Sequence, residues 1–244
     1  FCLNKHFEVE PNHFFDTFLK LTKPLESEYR KKWIGVKQKR QELHQKYLEK
    51  IPFSDLKVFR MILKAVPKNY MIHFSNSSAI RYAQLFDLDR SYKIYCNRGT
   101  SGIDGSTSTA IGAASLKKDP AVVITGDLAF FYDSNGLWNN YIPANFKIIM
   151  INNGGGGIFR ILPGNKNSEN FEQFIETTHN LNAKALSDMH GFNYHIASQE
   201  EDLEKVLNKF YTENEQPAIL EIFTPRKLND NVLLEYFRYI RGEE

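Results

Sequence analysis

Asp127, the pair Asn152-Asn153 and the run Gly154 to Gly157 are the residue types that a small divalent cation and a phosphate require. A carboxylate, an amide oxygen and a main-chain carbonyl are hard oxygen donors, suited to an ion such as Mg2+ that also holds phosphate oxygens. Consecutive glycines let the backbone approach a diphosphate without Cβ atoms in the way. Singly, Gly126-Asp127 and Asn152-Asn153 are ordinary turns. Together, each closing a buried apolar run, they point to one shared site.

Those residues need strands to hold them. Ala121 to Thr125 and Lys147 to Ile151 are short, β-branched runs bounded by Gly, Asp or Asn, the pattern of strands buried on both faces. Tyr132 to Asn140 is expected to form the helix between them. Such a crossover is right-handed and brings both strand ends to the same edge of one parallel sheet, placing the acid beside the amides.

The alternation continues through Tyr70 to Phe74, a helix after Ser75, Tyr92 to Cys96, a small-residue helix after Gly105, Asn193 to Ala197 and Ala218 to Phe223. Six buried strands separated by helices predict an α/β fold: a doubly wound six-stranded parallel sheet flanked by helices. Ser54 is an N-cap candidate for a helix carrying Leu56, Phe59, Leu63 and Val66 up to Pro67. Tyr29, Trp33, Val36, Leu43 and Tyr47 mark an amphipathic helix within Glu26 to Lys50, with Arg30 to Lys32 and Lys37 to Arg40 turned to water. Phe14, Phe15, Phe18 and Leu19 mark a shorter helix ending before Pro24. A terminal helix, Asn231 to Ile240, should pack Leu233, Leu234, Phe237 and Tyr239 onto the domain.

Composition narrows the classes. With 244 residues, 42% of them apolar, the chain can fill a core, and 31 basic against 29 acidic residues give no broad electrostatic case for nucleic acid. Cys2 and Cys96 form no CxxC pair, which argues against a disulfide framework or zinc site and for a reducing, cytoplasmic setting. No run approaches a membrane span, and no signal-peptide pattern opens the chain. The histidines at 6, 13, 44, 73, 179, 190 and 195 show no HExxH or triad spacing. His179 falls on the pocket side in chain order but has no spacing partner, and most of the seven read as surface or packing residues.

Two more places could carry chemistry. Ser75 to Ser78 follows a strand and opens a helix, where free N–H groups and hydroxyls favour anions, and Ser77 and Arg81 are four residues apart, so both can face one pocket. Arg98 follows the next strand and offers a bidentate fork to a carboxylate. By themselves these residues are as readily an N-cap, a surface arginine and an ion-pair partner, and Ile103 nearby reads as core filler.

The stretch from Gly126-Asp127-Leu128 to Asn152-Asn153 resembles the thiamine-diphosphate motif that begins Gly-Asp-Gly and closes on Asn-Asn, with Leu128 at the third position. More closely, NRGTSGIDGSTSTAIGA (97 to 113), GDLAFFYDSNGL (126 to 137) and NNGGGGIFRILP (152 to 163) resemble the 2-succinyl-5-enolpyruvyl-6-hydroxy-3-cyclohexene-1-carboxylate synthases of menaquinone biosynthesis, over nearly the whole chain. The resemblance implies a transferase using thiamine diphosphate and Mg2+, with Mn2+ as a substitute. It would decarboxylate 2-oxoglutarate and add the succinyl unit to isochorismate, as a homodimer or dimer of dimers, without nucleic-acid or membrane partners.

The same resemblance implies substrate contacts from Ser77, Arg81 and Arg98, with Ile158, Phe159 and Leu162 walling the pocket. Cofactor contacts would come from Ser101, Gly102, Ile103, Gly126, Asp127, Leu128, Asn153, Gly155, Gly156, Ile158 and Phe159, Ile103 being the wedge that bends the cofactor. Metal ligands would be Asp127, Asn153 and the Gly155 carbonyl, with Gly154 as the other register. In the family the glutamate that activates the cofactor lies in a separate pyrimidine-binding domain. No catalytic residue is therefore expected here, and the fragment alone should be inactive. Residues 1–25 would be a remnant of a central domain and 26–244 the diphosphate-binding domain with its leading helix, the pyrimidine-binding domain being absent from this chain. Two alternatives stay open: another thiamine-diphosphate enzyme, of acetolactate synthase or 2-oxoacid decarboxylase type, and a non-catalytic phosphate-binding module. Against the second, the glycines form neither GxxxxGK[ST] nor a GxGxxG opening a helix.

Overall fold

A computed structural model describes residues 2–117, 119–162, 164 and 168–242. Pro163, the last residue of the glycine-rich block, lies outside the described residues. The chain forms two compact units, Phe1–Glu42 and Leu43–Glu244. In the smaller one, helix α1 (Pro11–Lys20) begins on Pro11, whose missing N–H would have no helical partner in any case. Phe14 stacks on Phe18 one turn later, ring centroids 5.5 Å apart, and no α1 side chain is buried. Helix α2 (Tyr29–Lys50) continues into the larger unit. Its apolar stripe is exposed at Tyr29, Trp33 and Val36, whereas Leu48 is buried.

In the larger unit the apolar runs form β1 (Met71–Phe74), β2 (Lys93–Cys96), β3 (Ala121–Gly126), β4 (Lys147–Asn152), β5 (Asn193–Ala197) and β6 (Ala218–Phe223). All pair in parallel in one sheet of order β2-β1-β3-β4-β6-β5, which is the doubly wound fold expected. Burial of all six strands holds only for the inner four. On β2 Lys93, Ile94 and Tyr95 are exposed, and β5 is half-buried, because an edge strand is covered from one side.

The connecting helices are α3 (Asp55–Ala65), α4 (Ser78–Ala83), α5 (Ser106–Leu116), α6 (Asp127–Tyr132), α7 (Ile158–Ile161), α8 (Lys184–His190), α9 (Glu200–Phe210) and α10 (Asn229–Arg241). Alternate residues of each inner strand enter opposite cores. Ile72, Val122, Ile149 and Leu220 pack with α3, α4, α9 and α10, whereas Val123, Ile148, Met150 and Ile219 pack with residues of α5 and α6. Local details depart from sequence expectation. Helix α6 starts at Asp127 itself, five residues earlier than expected, and a 3-10 turn over Ser134–Trp138 completes the crossover. Ser54 precedes α3, but its hydroxyl donates to the Pro52 carbonyl instead of accepting from a helix N–H. On α10 the buried stripe is Val232, Leu233 and Tyr236, while Leu234 and Phe237 are half-buried and Tyr239 is exposed.

The strand order reverses twice. After β1 the chain goes to β2 on one side and then to β3 on the other; after β4 it goes out to β5 and returns to insert β6 between them. Ligands of open α/β sheets bind outside the carboxyl ends of strands at such reversals. Ser75 to Ser77 and Gly126-Asp127 stand at the first, Asn152-Asn153 and Thr224 at the second.

Candidate functional site

Gly126 closes β3 in an extended conformation, and Asp127 opens α6, where the N-terminal N–H groups favour a carboxylate. The Asp127 side chain is buried. Its Oδ2 accepts from the Gly154 and Gly155 N–H groups at 2.8 and 3.0 Å, and its Oδ1 from the Leu128 N–H at 2.7 Å. The acid after β3 therefore meets the residues after β4, where strand placement set the Asn152-Asn153 amides, and its partners there are the glycine N–H groups. The glycines also serve the chain itself. Gly155 has φ +155°, and a Cβ there would lie 2.9 Å from the Glu176 carbonyl oxygen; Gly154 has φ +76° with the His179 carbonyl 3.3 Å from its Cβ position. The close approach is thus to the returning segment Glu176 to His179, which bonds the run through Gly156 N–H to Glu176 O (2.6 Å) and His179 N–H to Gly154 O (3.1 Å).

That return places His179, which has no partner by spacing, against Asp127. Its Nε2 is 3.2 Å from Asp127 Oδ2, though poorly aligned for a hydrogen bond. Its Nδ1 accepts the Leu181 N–H at 3.1 Å, which assigns the ring hydrogen to Nε2, facing the carboxylate.

Asn153 follows β4 with its side chain split between two environments. Nδ2 donates to Asp55 Oδ2 at 3.0 Å, whereas Oδ1 is buried with no hydrogen-bond partner. Asp55, in the first turn of α3, also accepts from the Thr224 hydroxyl at 2.6 Å. Burial pushes its carboxyl up to about 6; the hydrogen bonds from Thr224 and Asn153 oppose that rise, and the negative Asp127 adds to it. Neither Asp55 nor Thr224 stood out in the sequence.

A cavity of about 580 Å3 adjoins these groups at the β4/β6 reversal, lined by Asn152 to Gly154, Thr178 to Asn182, Phe223, Thr224, Glu172 and Arg226. Among the described residues no three His, Cys, Asp or Glu side chains cluster to hold a metal. The donors here are instead one carboxylate, one unpartnered amide oxygen and two glycine carbonyls, each with a single hydrogen bond (Gly154 O from His179, Gly155 O from Gly157). A carbonyl has a second lone pair, so the donor set fits a hard cation.

At the β1/β3 reversal, Ser77 adopts φ +66° as the residue before α4, and Arg81 donates through Nη1 to the Ser77 carbonyl at 2.8 Å. Arg98 reaches Asn76 Oδ1 at 3.3 Å. Asn76 is buried and donates to the Asn97 and Gly102 carbonyls at 2.8 and 2.5 Å, so it ties the β1 end to the loop carrying Arg98, Ser101 and Gly102. The Ser101 hydroxyl donates to the Arg98 carbonyl. Ile103 is half-buried and belongs to neither apolar core, contrary to the core-filler reading. Ile158 is half-buried, Phe159 and Leu162 are exposed, and none of the three lines the cavity above.

Residues 77–222 match the family model described as "Thiamine pyrophosphate enzyme, C-terminal TPP binding domain", and the chain belongs to that family. Among curated relatives, the 2-succinyl-5-enolpyruvyl-6-hydroxy-3-cyclohexene-1-carboxylate synthase of Christiangramia forsetii is 62% identical over 207 residues, 85% of this chain and 36% of the relative. Proteins of the same name from Flavobacterium psychrophilum and Bacteroides fragilis are 53% and 37% identical, covering 97% and 96% of this chain but 43% and 42% of their own lengths. The chain spans about two fifths of the length of the relatives it matches.

Proposed function

We propose that this chain is the diphosphate-binding part of a Mg2+-dependent synthase that decarboxylates 2-oxoglutarate and adds the succinyl unit to isochorismate. The names of its relatives support that reading, and one observation carries it: the buried, unpartnered Asn153 Oδ1, next in sequence to the glycines whose N–H groups bind Asp127. A buried amide oxygen without a donor is costly unless a ligand completes it. Asp127, Asn153 and the Gly155 carbonyl would hold the cation. Gly126, Leu128, Gly156, Ser101 and Gly102 would border the thiamine diphosphate, with Ile103 as its wedge. When bound, thiamine diphosphate supplies the electron sink that lets a 2-oxo acid lose CO2.

The protein's own contribution is binding, charge and exclusion of water. Arg81 and Arg98 present guanidinium groups near Ser77 for substrate carboxylates, and a dicarboxylate uses more such contacts than pyruvate does. Ile158, Phe159 and Leu162 would form an apolar wall that favours the loss of charge accompanying decarboxylation. The cofactor-activating glutamate would come from a pyrimidine-binding domain outside these residues, residues 1–25 belonging to a central domain, and the working site would form in a dimer. These 244 residues alone would then give no turnover. A cytoplasmic setting accords with two free cysteines, and among the described residues no helix is long and apolar enough to cross a membrane.

Two measurements decide the reading. In calorimetry, thiamine diphosphate should bind the chain only with Mg2+, at least about tenfold more weakly after Asp127→Ala; binding indifferent to both changes would overturn it. A chimera in which this chain replaces the matched residues of the Christiangramia forsetii relative should consume 2-oxoglutarate and isochorismate, while the chain alone should not. Turnover by the chain alone would sink the missing-glutamate part.

A further inference from the structure

The two ends of the Asn153 amide are chemically opposite: the nitrogen can only donate, and only the oxygen can ligate a cation. At ordinary geometry the two fill nearly the same space, so packing alone does not choose between them. A neighbour that accepts without donating does choose. Asp55 Oδ2 takes the Asn153 Nδ2 at 3.0 Å, and Asp55 Oδ1 is already occupied by the Thr224 hydroxyl at 2.6 Å. Both carboxylate oxygens therefore accept. Turning the amide over would set its oxygen against a carboxylate oxygen and its nitrogen at the position where Oδ1 now waits without a partner.

Asp55 is itself fixed on three sides. Its backbone N–H donates to Asn229 Oδ1 at 2.8 Å, and Asn229 Nδ2 donates to Thr224 Oγ1 at 3.3 Å, so the first turn of α3, the residue after β6 and the start of α10 lock one another. The side chain is almost fully buried, at 3% exposure. The helix start does not need a buried carboxylate at its first residue, since Ser54 already stands at the cap position and desolvating a charge is costly.

Resting on the reading of this site as a Mg2+ and diphosphate site, we propose that Asp55 is the positioning residue that orients Asn153, holding the amide nitrogen so that its oxygen faces the cation. Asp55 does not touch the cation; it acts through Asn153, as carboxylates behind metal ligands commonly do.

Asp55→Asn keeps the shape but presents an amide that can show either end to Asn153, so orientation is no longer enforced. In the chimera described above, thiamine diphosphate affinity at fixed Mg2+ should fall about tenfold, and the Mg2+ concentration for half-saturation should rise. The melting temperature without ligands should stay close to that of the unsubstituted protein. The discriminating readout is the double variant Asp55→Asn with Asn153→Asp. A carboxylate has an oxygen at both ends, so the swap should recover most of the lost affinity and bring the half-saturating Mg2+ concentration back down, which a merely structural Asp55 would not permit. Thr224→Val, which frees Asp55 Oδ1, should give a smaller loss of the same kind and serves if Asp55→Asn fails to fold. Unchanged affinity in Asp55→Asn, or loss without recovery in the double variant, would overturn the proposal. If the unsubstituted chimera itself binds thiamine diphosphate without Mg2+, it is the underlying site reading that falls.

Discussion

His179 Nε2 stands 3.2 Å from Asp127 Oδ2, the same oxygen that receives the Gly154 and Gly155 N–H groups. Two backbone N–H groups bond that oxygen with the His179 ring beside it, whereas among the described residues the other oxygen accepts from the adjacent Leu128 N–H alone. Asp127 is thus anchored through Oδ2, which on the proposed reading leaves Oδ1 as the freer oxygen for the cation. Replacing His179 with Ala should leave the fold intact and weaken Mg2+-dependent thiamine diphosphate binding about tenfold, within the range typical for groups behind metal ligands. Titration calorimetry with paired thermal melts checks this. Equal affinities would show that the two backbone amides suffice.

Two glycines with opposite surroundings give a second expectation. Gly155→Ala forces a side chain to φ +155° and drives Cβ into the Glu176 carbonyl at 2.9 Å, so stability should fall by about 1 to 3 kcal/mol. Gly112, inside α5 with nothing within 4 Å of its Cβ position, should gain about 0.5 to 1 kcal/mol as Ala. Urea unfolding of the two variants should move in opposite directions.

Glu221 on β6 is fully buried and accepts three hydrogen bonds: Asn152 Nδ2 at 2.6 Å, the Ala183 N–H at 2.9 Å and the Tyr194 hydroxyl at 2.6 Å. Glu221→Ala strands three donors at once and should cost on the order of 3 kcal/mol or more. Glu221→Gln keeps one acceptor and should cost clearly less. A reversed order of the two in denaturant melts would show that turning the Gln amide donor towards these three donors costs more than removing the acceptors altogether.

His73, inside β1, has its ring stacked on Tyr95 and its Nε2 buried without a partner. Burial lowers its pKa to about 4, against a value of 6.5 when solvated. The unfolded chain therefore binds the extra proton first, and the stabilisation present above about pH 6.5 is lost as pH falls towards 4. In His73→Phe this part of the acid limb should flatten, as thermal melts at pH 4.5 and 7 would show. An unchanged acid limb would place the titration elsewhere.

The strands were legible because an unbroken β-branched run is a local signal, and the meeting of Asp127 with the residues after β4 followed from placing both at strand ends. Edge exposure was not legible, since nothing in Tyr92 to Cys96 says that β2 has a neighbour on one side only. The start of α6 at Asp127 was hidden by the apolar stretch Leu128 to Phe131, which reads as readily as a continued strand. Asp55 and Thr224 were missed, and His179 was placed on the pocket side without a partner, for a different reason. Their roles depend on partners supplied by distant segments, α3 and β6 closing on Asn153 and the 176–179 return closing on the glycines, and spacing within one segment carries no trace of such contacts.

The insertion of β6 between β4 and β5 has a consequence for how the chain acquires its shape. The fourth strand is made long before its inner neighbour, with six residues awaiting pairing on that side, and the outer fifth strand has five more. Until Ala218 to Phe223 arrives, both present open backbone to any passing polypeptide. A chain ending short of β6 should accordingly depend on chaperones and aggregate readily, whereas one carried on through β6 and α10, which covers the same face of the sheet, should lose both behaviours.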